Sequence, residues 1–402
     1  MKSPASALKP RSGTAVEPVA QVIALPQQRE PAAAALKQAL EEATRTFRRA
    51  VAVGDKDYLR ALHLEAKRQQ PGCNAREVHR LFLKHKAHFK SGRQIDPTQI
   101  KPALHLATGG LWSDLFMVTR ALWSMPYNKG YGRRLRFVVY DEHHEAVIGI
   151  IGLQSPPADL TVRDRLFEYP ADRKLELVNC TMDAYAVGAL PPYSYLLGGK
   201  LCAGLISTDT IRQAYWRQYA GKKTEMLNAG IQQPLAAVTT TSAFGRSSQY
   251  NRLKYQGRLL AEPIGYTAGY GTLHLEHLYE QVAEFQKLYG KFTKGGYGNG
   301  PKVRWQNITR ALIDLGLSRA LLRHGMKREV FLYRLTDDLV EGMKGGSFGN
   351  PLNLSEEDFA AFWRERWAEP RATSRPEWNQ GEDTALLERT LMTTFEHSPP
   401  ST

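Results

Sequence analysis

Residues 134–154, RLRFVVYD-EHHEA-VIGIIGLQ, constrain the fold more than any other stretch. Two runs rich in apolar, β-branched and aromatic residues flank a short polar segment, which predicts a hairpin turning over EHHEA. Gly149 and Gly152 fall inside the second strand. Glycine weakens a strand there unless a ligand or another backbone comes close. A further apolar strand is predicted over LELVNCTMDAYAVGALPP, ended by Pro191-Pro192, and YSYLLGGKLCAGLIS after it has a helical period. A helix follows over STDTIRQAYWRQYA, with Ser207 or Thr208 as its cap. Then come a strand over PLAAVTTTSA, a short basic helix over SSQYNRLKYQG and an aromatic–glycine strand pair over EPIGYTAGYGTLHL.

Helical patterns surround this core. In AAAALKQALEEATRTFRRAV, Leu36, Leu40, Thr44 and Phe47 recur at three- and four-residue spacing, and KDYLRALHLEAKRQQ repeats the pattern up to Pro71-Gly72. NAREVHRLFLKHKAHFK reads as a third helix capped by Asn74. SGRQIDPTQIKP is a linker with Pro97 and Pro102 as breaks. SDLFMVTRALWSMP is an amphipathic helix capped by Ser113, and 277–371 turns helical again. The expected organisation is a disordered segment over 1–34, a basic helical region over 35–100, an α/β core over 101–276, a C-terminal helical region over 277–371 and a flexible tail over 372–402.

Composition narrows the function classes. The chain has 402 residues and a formal net charge of +14, which favours polyanions, with nucleic acid, most of all DNA, the default partner. The charge is concentrated: residues 200–262 hold nine Lys/Arg against three acids, and 302–334 hold eight against two. Tyr215, Trp216, Tyr219, Tyr250, Tyr255 and Trp305 lie beside these segments, which suits backbone contacts with stacking. A plain solvated basic face is the alternative. No run approaches 18 apolar residues, and the first residues have no signal-peptide core, so a cytoplasmic protein without a membrane partner is expected. Cys73, Cys180 and Cys202 form no CxxC pair, and neither His79, His85 and His88 nor His274 and His277 have evident carboxylate or thiolate partners, so no metal is expected.

The order of elements between about Arg134 and Leu275 resembles the GNAT acyltransferase fold. The expected class is therefore α+β, a GNAT-like mixed sheet core flanked by N- and C-terminal helical regions. In that family the amides at the start of the helix after the splayed strand hold a cofactor pyrophosphate. The corresponding turn here contains Gly198, Gly199 and Lys200. It departs from the acyltransferase pattern, with Tyr195 in the first place and Lys200 in the last, so CoA or nucleotide use stays open. Close helix packing is the other explanation for Gly198 and Gly199.

The segment TTTSAFGRSSQYNRLKY, 239–255, fails the P-loop pattern and the G-x-S-x-G pattern. It falls at the carboxyl end of a strand, an edge that holds ligands in open α/β sheets. Ser247 and Ser248 would cap the helix that follows, Arg246 would favour an anion, and Asn251, Arg252, Lys254 and Arg258 would extend the positive surface. Arg133, Arg134 and Lys200 join them as expected nucleic-acid contacts. Simple β-propensity and capping are the competing explanation. Ser247 and Tyr250 are candidate nucleophiles without a visible base. Asp183 is a candidate base or ligand, or else the structural partner of Arg133 or Arg134, since an unpaired buried carboxylate is costly. Asp141, Glu142 and His143 sit in a turn expected to be exposed.

Five motifs occur in order: YGRRLRFVVYDEHHEAVIGIIGL, LVNCTMDAYAVGALPPYSYLLGGKLCAGLI, VTTTSAFGRSSQYNRLKY, EPIGYTAGYGTLHL and LLRHGMKREVF. Together they resemble the DruA family of the Druantia bacterial anti-phage defence system, from about residue 35 to 380. The resemblance implies a defence role beside a large helicase-like partner, and relatives near mobile elements imply that a member can serve a transposon instead. It implies no catalytic residues. Two functions follow as expectations: a nucleic-acid-binding defence component, or a DNA-acting enzyme that modifies a base or cleaves and joins strands. An adaptor role for the helical ends is compatible with the first.

Overall fold

Strands β2 (Arg134–Asp141) and β3 (Ala146–Gln154) pair antiparallel, as their sequence predicts. Their side chains alternate between two cores. Leu135, Phe137, Val139 and Ile148 enter one, while Val138, Tyr140, Val147 and Ile150 enter the other. Both faces of the sheet are therefore covered, and each fully buried aliphatic side chain contributes about 1.5–3 kcal/mol.

The computed structural model describes residues 26–68, 75–123, 132–224, 230–231, 234–294 and 303–395. The chain divides into two units, one of Met1–Leu40 with Leu278–Arg319 and the other of Glu41–His277 with Ala320–Thr402. The second unit holds a seven-stranded sheet ordered β1-β2-β3-β4-β5-β9-β8. The remaining members are β1 (Pro102–Leu106), β4 (Thr181–Ala189), β5 (Ala237–Thr241), β8 (Glu262–Tyr266) and β9 (Glu329–Arg334). Every pairing is antiparallel except β4 with β5, which is parallel.

In chain order the helices are α1 (Pro26–Val53), α2 (Lys56–Arg68), α3 (Ala75–Lys84), α4 (Gly110–Ala121), α5 (Thr161–Phe167), α6 (Lys174–Val178), α7 (Gly198–Leu205) and α8 (Asp209–Tyr219). They continue with α9 (Tyr279–Tyr289), α10 (Val303–Asp314), α11 (Leu339–Gly345), α12 (Glu356–Trp363), α13 (Glu369–Ser374) and α14 (Asp383–Phe395). One sheet face is covered by α3, α4 and α14 through Leu81, Phe82, Leu115, Phe116, Leu387 and Leu391. The other is covered by α7, α8 and α12 through Leu201, Leu205, Ile211, Tyr215, Phe359 and Trp363. In the first unit, Ile308, Ala311 and Leu312 of α10 and Val282 and Phe285 of α9 are buried. Gln286 donates to Asp314 at 2.8 Å, and Arg304 lies 3.9 Å over the Tyr279 ring.

Several expectations fail for identifiable reasons. Residues 174–178 are the short helix α6, and the strand starts only at Thr181, because Leu177 and Val178 are buried on a turn braced by the Arg173–Glu176 pair. The helix expected over SSQYNRLKYQG is a single turn, Asn251 N–H to Ser247 O at 3.2 Å, stopped by Arg252 at φ 56°. A two-residue hairpin follows, β6 (Lys254–Tyr255) with β7 (Arg258–Leu259), turned by Gln256 and Gly257 at positive φ. EPIGYTAGYGTLHL gives one strand, not a pair. Gly265, Gly269 and Gly271 all take positive φ, and β8 pairs instead with the unanticipated β9. The expected linker ends at Pro102, where the edge strand β1 begins and a missing N–H costs nothing. Ser113 lies inside α4, whose N-cap is Gly109. The proposed cap Asn74 and most of segment 1–34 lie outside the described residues, and α1 already begins at Pro26.

The segment expected to be a flexible tail carries α14, with Leu391 fully buried and Leu387 nearly so. Leu391→Ala should therefore lower unfolding free energy by about 2–5 kcal/mol, measured by urea denaturation. A change below about 0.5 kcal/mol, the usual size for a surface site, would mean that this helix is not part of the core.

Candidate nucleic-acid interface and the cleft beside it

The parallel neighbours β4 and β5 share only four registers, from Thr181↔Ala237 to Ala184↔Thr240. Beyond them β4 continues to Ala189 against β3 alone, while the chain leaves β5 at Thr241. The strands part at their carboxyl ends, the edge predicted for TTTSAFGRSS. Side chains from other segments reach three β4 carbonyls here. Thr240 Oγ1 donates to Ala184 O at 2.9 Å, Gln249 Nε2 to Val187 O at 3.2 Å, and Cys202 Sγ to Gly188 O at 3.3 Å.

A cleft of about 290 Å³ opens at this parting. Gly188 and Ala189 of β4 form one side, with Trp123 beside them, while Ser194 and Leu197 precede α7. Gly199 and Lys200 of α7 face Ser248 and Gln249. Three glycines make this closeness possible. A Cβ on Gly188 would lie 2.6 Å from the Trp123 indole, one on Gly199 3.1 Å from Gln249 Oε1, and one on Gly198 2.7 Å from Tyr193 O. Gly149 likewise admits the β4 backbone, as a Cβ there would lie 2.8 Å from Ala189 Cα. Gly198 and Gly199 thus serve close packing. The α7 amides are largely used as well: Gly198 N–H donates to Tyr193 O at 2.8 Å and Lys200 N–H to Leu197 O at 2.9 Å. A row of free amides for a pyrophosphate is not presented.

Lys200 joins three elements. Its ammonium donates to Asn251 O at 2.9 Å and lies 5.6 Å from the Trp367 ring, and burial lowers its pKa. Beyond Asn251 the chain turns outward. Arg246, Ser248, Arg252, Lys254 and Arg258 are exposed. No acid occurs between Glu225 and Glu262, and among the described residues no ion pair engages Arg252, Lys254 or Arg258. The hairpin carrying them is braced by Tyr255, whose ring packs edge-on against Phe359 and Phe362. Arg246 is partly engaged: the Tyr266 hydroxyl and the Glu329 carboxylate hold its guanidinium above its usual range. Ser247 accepts the Asn251 amide through its backbone and caps no helix. The anion argument from a helix N-terminus therefore falls, and the side-chain cations remain.

Other predicted residues lie elsewhere. Arg133 is buried, donating to Asn179 O at 2.6 Å, Tyr215 Oη at 2.5 Å and Asn179 Oδ1 at 3.2 Å, so its guanidinium is committed inside the fold. Arg134 is half-buried, and its backbone exchanges two hydrogen bonds with the Tyr219 hydroxyl. Asp183 pairs with neither. Its carboxylate accepts from Gln154 Nε2 and Thr239 Oγ1, both at 3.2 Å. Burial raises its pKa, while those two hydrogen bonds and the charges of Arg163 and Arg328 act in the opposite direction. Tyr250 is buried on Phe331 with its hydroxyl 3.5 Å from Thr240 Oγ1, and burial pushes it up to about 12, which disfavours a phenolate nucleophile.

Asp141, expected in an exposed turn, is fully buried. It accepts from Lys101 N, His143 N, His144 Nδ1 and Tyr193 Oη. His85 reaches Asp114 and His88 reaches Tyr140, with their two rings 6.2 Å apart, while His274 reaches Leu321 O. Cys180 and Cys202 are buried, and Cys73 lies outside the described residues. Sequence reasoning missed Trp123, Ser194 and Gln249. Nothing in their local pattern marks them, because three separate segments bring them together.

The family model described as "Druantia protein DruA" matches residues 54–345. The chain is 36% identical over 330 residues to the Druantia protein DruA of Escherichia coli (strain UMEA 4076-1), covering 80% of this chain and 81% of that protein. No solved structure matches the chain.

The raised pKa of Asp183 has a defined sign. An acid whose folded-state pKa exceeds the unfolded value, about 3.9, opposes folding increasingly as pH rises through and above that range. Asp183→Asn should therefore gain stability relative to wild type from pH 4 to pH 8, with the Gln154 amide turning to meet the new donor. Urea melts across that range check it. A variant less stable than wild type at pH 8 would show that the ionised carboxylate, held by Arg163 and Arg328, is the favoured form.

Proposed function

Since this chain belongs to the family of the Druantia protein DruA, we propose that it is a component of a bacterial anti-phage defence system and that its part there is to hold nucleic acid, most of all DNA. The observation that carries this reading is the set Arg252, Lys254 and Arg258. These exposed cations rise from an acid-free stretch on a hairpin braced against the core, at the rim of the cleft. Cations placed this way bind phosphates through long-range attraction and counterion release, with little sequence preference. Tyr266 and Tyr270, 40% and 51% exposed, lie along the following segment and supply stacking surfaces.

Other Druantia proteins, a helicase-like protein among them, are the partners this reading implies. The strand order, with one parallel pair that parts at its carboxyl ends, supports an acyltransferase-like core. The α7 amides already bonded at Gly198 and Lys200 support a core that does not use a pyrophosphate cradle. The alternative of a DNA-acting transferase keeps the same cleft and needs a base that Asp183, turned to Gln154 and Thr239, does not supply in this arrangement.

Wild type and Arg252→Ala/Lys254→Ala are compared for binding to single-stranded and duplex DNA across a potassium chloride series. The double variant should bind more weakly at every salt concentration. Its plot of log affinity against log salt should be shallower by about 1.4 on single strands and about 1.8 on duplex, the loss of two phosphate contacts. Identical slopes would remove this hairpin from the binding surface.

A further inference from the structure

The cleft beside the hairpin has its own chemistry, distinct from the cations at its rim. Its described lining has one indole, Trp123, and neutral polar groups: the hydroxyls of Ser194 and Ser248 and the amide of Gln249, whose Nε2 already donates one hydrogen bond to Val187 O. Among the described residues no carboxylate lines it, and the one cation among them, Lys200, is held by Asn251 O and the Trp367 ring. An aromatic wall with neutral hydrogen-bonding groups around about 290 Å³ suits a flat heterocycle whose edge carries mixed donors and acceptors. It does not suit a di- or triphosphate group, because the Gly198 and Lys200 amides at the nearest helix start are occupied.

Chain geometry joins the cleft to the phosphate-binding rim. Ser248 and Gln249 line the cleft, Asn251 O receives the Lys200 ammonium, and Arg252 and Lys254 follow within five residues of Gln249. A strand held by its phosphates on the hairpin therefore has a base-sized opening within reach of one nucleotide. We propose that this cleft receives an unpaired nucleobase of the bound strand, stacked against Trp123, with its edge read by Ser194, Ser248 and Gln249. The proposal rests on the nucleic-acid reading above and adds what that reading lacks, a contact to a base. Its functional consequence is a preference for single-stranded or distorted DNA, since a base inside a regular duplex is not available to the cleft.

Photo-cross-linking of the full chain to a single strand bearing 5-iodouracil tests the assignment, with adducts located by mass spectrometry of the digested protein. The expected result is an adduct on Trp123, and at least a tenfold lower yield there in Ser248→Trp, whose indole fills the opening. Strands that bind with the salt dependence expected above but form adducts only on Tyr266, Tyr270 or the hairpin would overturn the base pocket and leave the phosphate surface standing. An unchanged Trp123 yield in Ser248→Trp would overturn it equally. Failure to bind any strand would overturn both readings.

Discussion

The short parallel pairing of β4 with β5 governs the arrangement of this molecule. Four registers hold the two strands, and then β4 runs on against β3 while β5 ends. A strand edge left open inside a protein has carbonyls to satisfy, and each one buried without a partner costs about 1–3 kcal/mol. Around the parting, Thr240, Gln249 and Cys202 donate to β4 carbonyls from three different elements. Because Gln249 does so, the loop after β5 lies across the mouth of the parting. The cleft, its polar lining and the cationic hairpin beyond it follow from that position.

Burial of charged groups decides which of the chain's many cations are available to a ligand. Arg133 and Arg163 are drawn inside to bond backbone carbonyls, and Lys200 fixes the 251 turn to α7. Asp141 ties the end of the β2–β3 hairpin to the segment before β1 and, through Tyr193, to the loop before α7. A buried carboxylate with so many donors has its hydrogen-bonding demand met, whereas an isolated one is costly. These interior charges build the scaffold. Arg252, Lys254 and Arg258 stand outside it, exposed on and beside one hairpin.

The strands with strong apolar runs, β2, β3 and β5, were legible in the sequence, and so was the end of a strand after the triple threonine. The helix expected over SSQYNRLKYQG was not, because a left-handed Arg252 ends its first turn and a Gln256-Gly257 hairpin replaces it. β9 was hidden because EVFLYR is short and follows a basic stretch. It becomes a strand by filling the gap between β5 and β8. α14 lacked a strong stripe of its own, yet two leucines suffice once the face of the sheet is there to receive them.

The sequence by itself determined the family, the mixed α/β character, the basic excess and the acid-free stretch between Glu225 and Glu262, since these depend on residue order and composition alone. Tertiary structure alone decided that Arg133 is scaffold while Arg252 faces solvent, that Asp183 answers to Gln154 and Thr239, and that Trp123 meets Ser248 across a cleft. The physical reason is common to all three. A side chain's role is set by the partners and the solvent around it, and those partners come from segments far apart in the chain whose meeting depends on how the sheet is assembled.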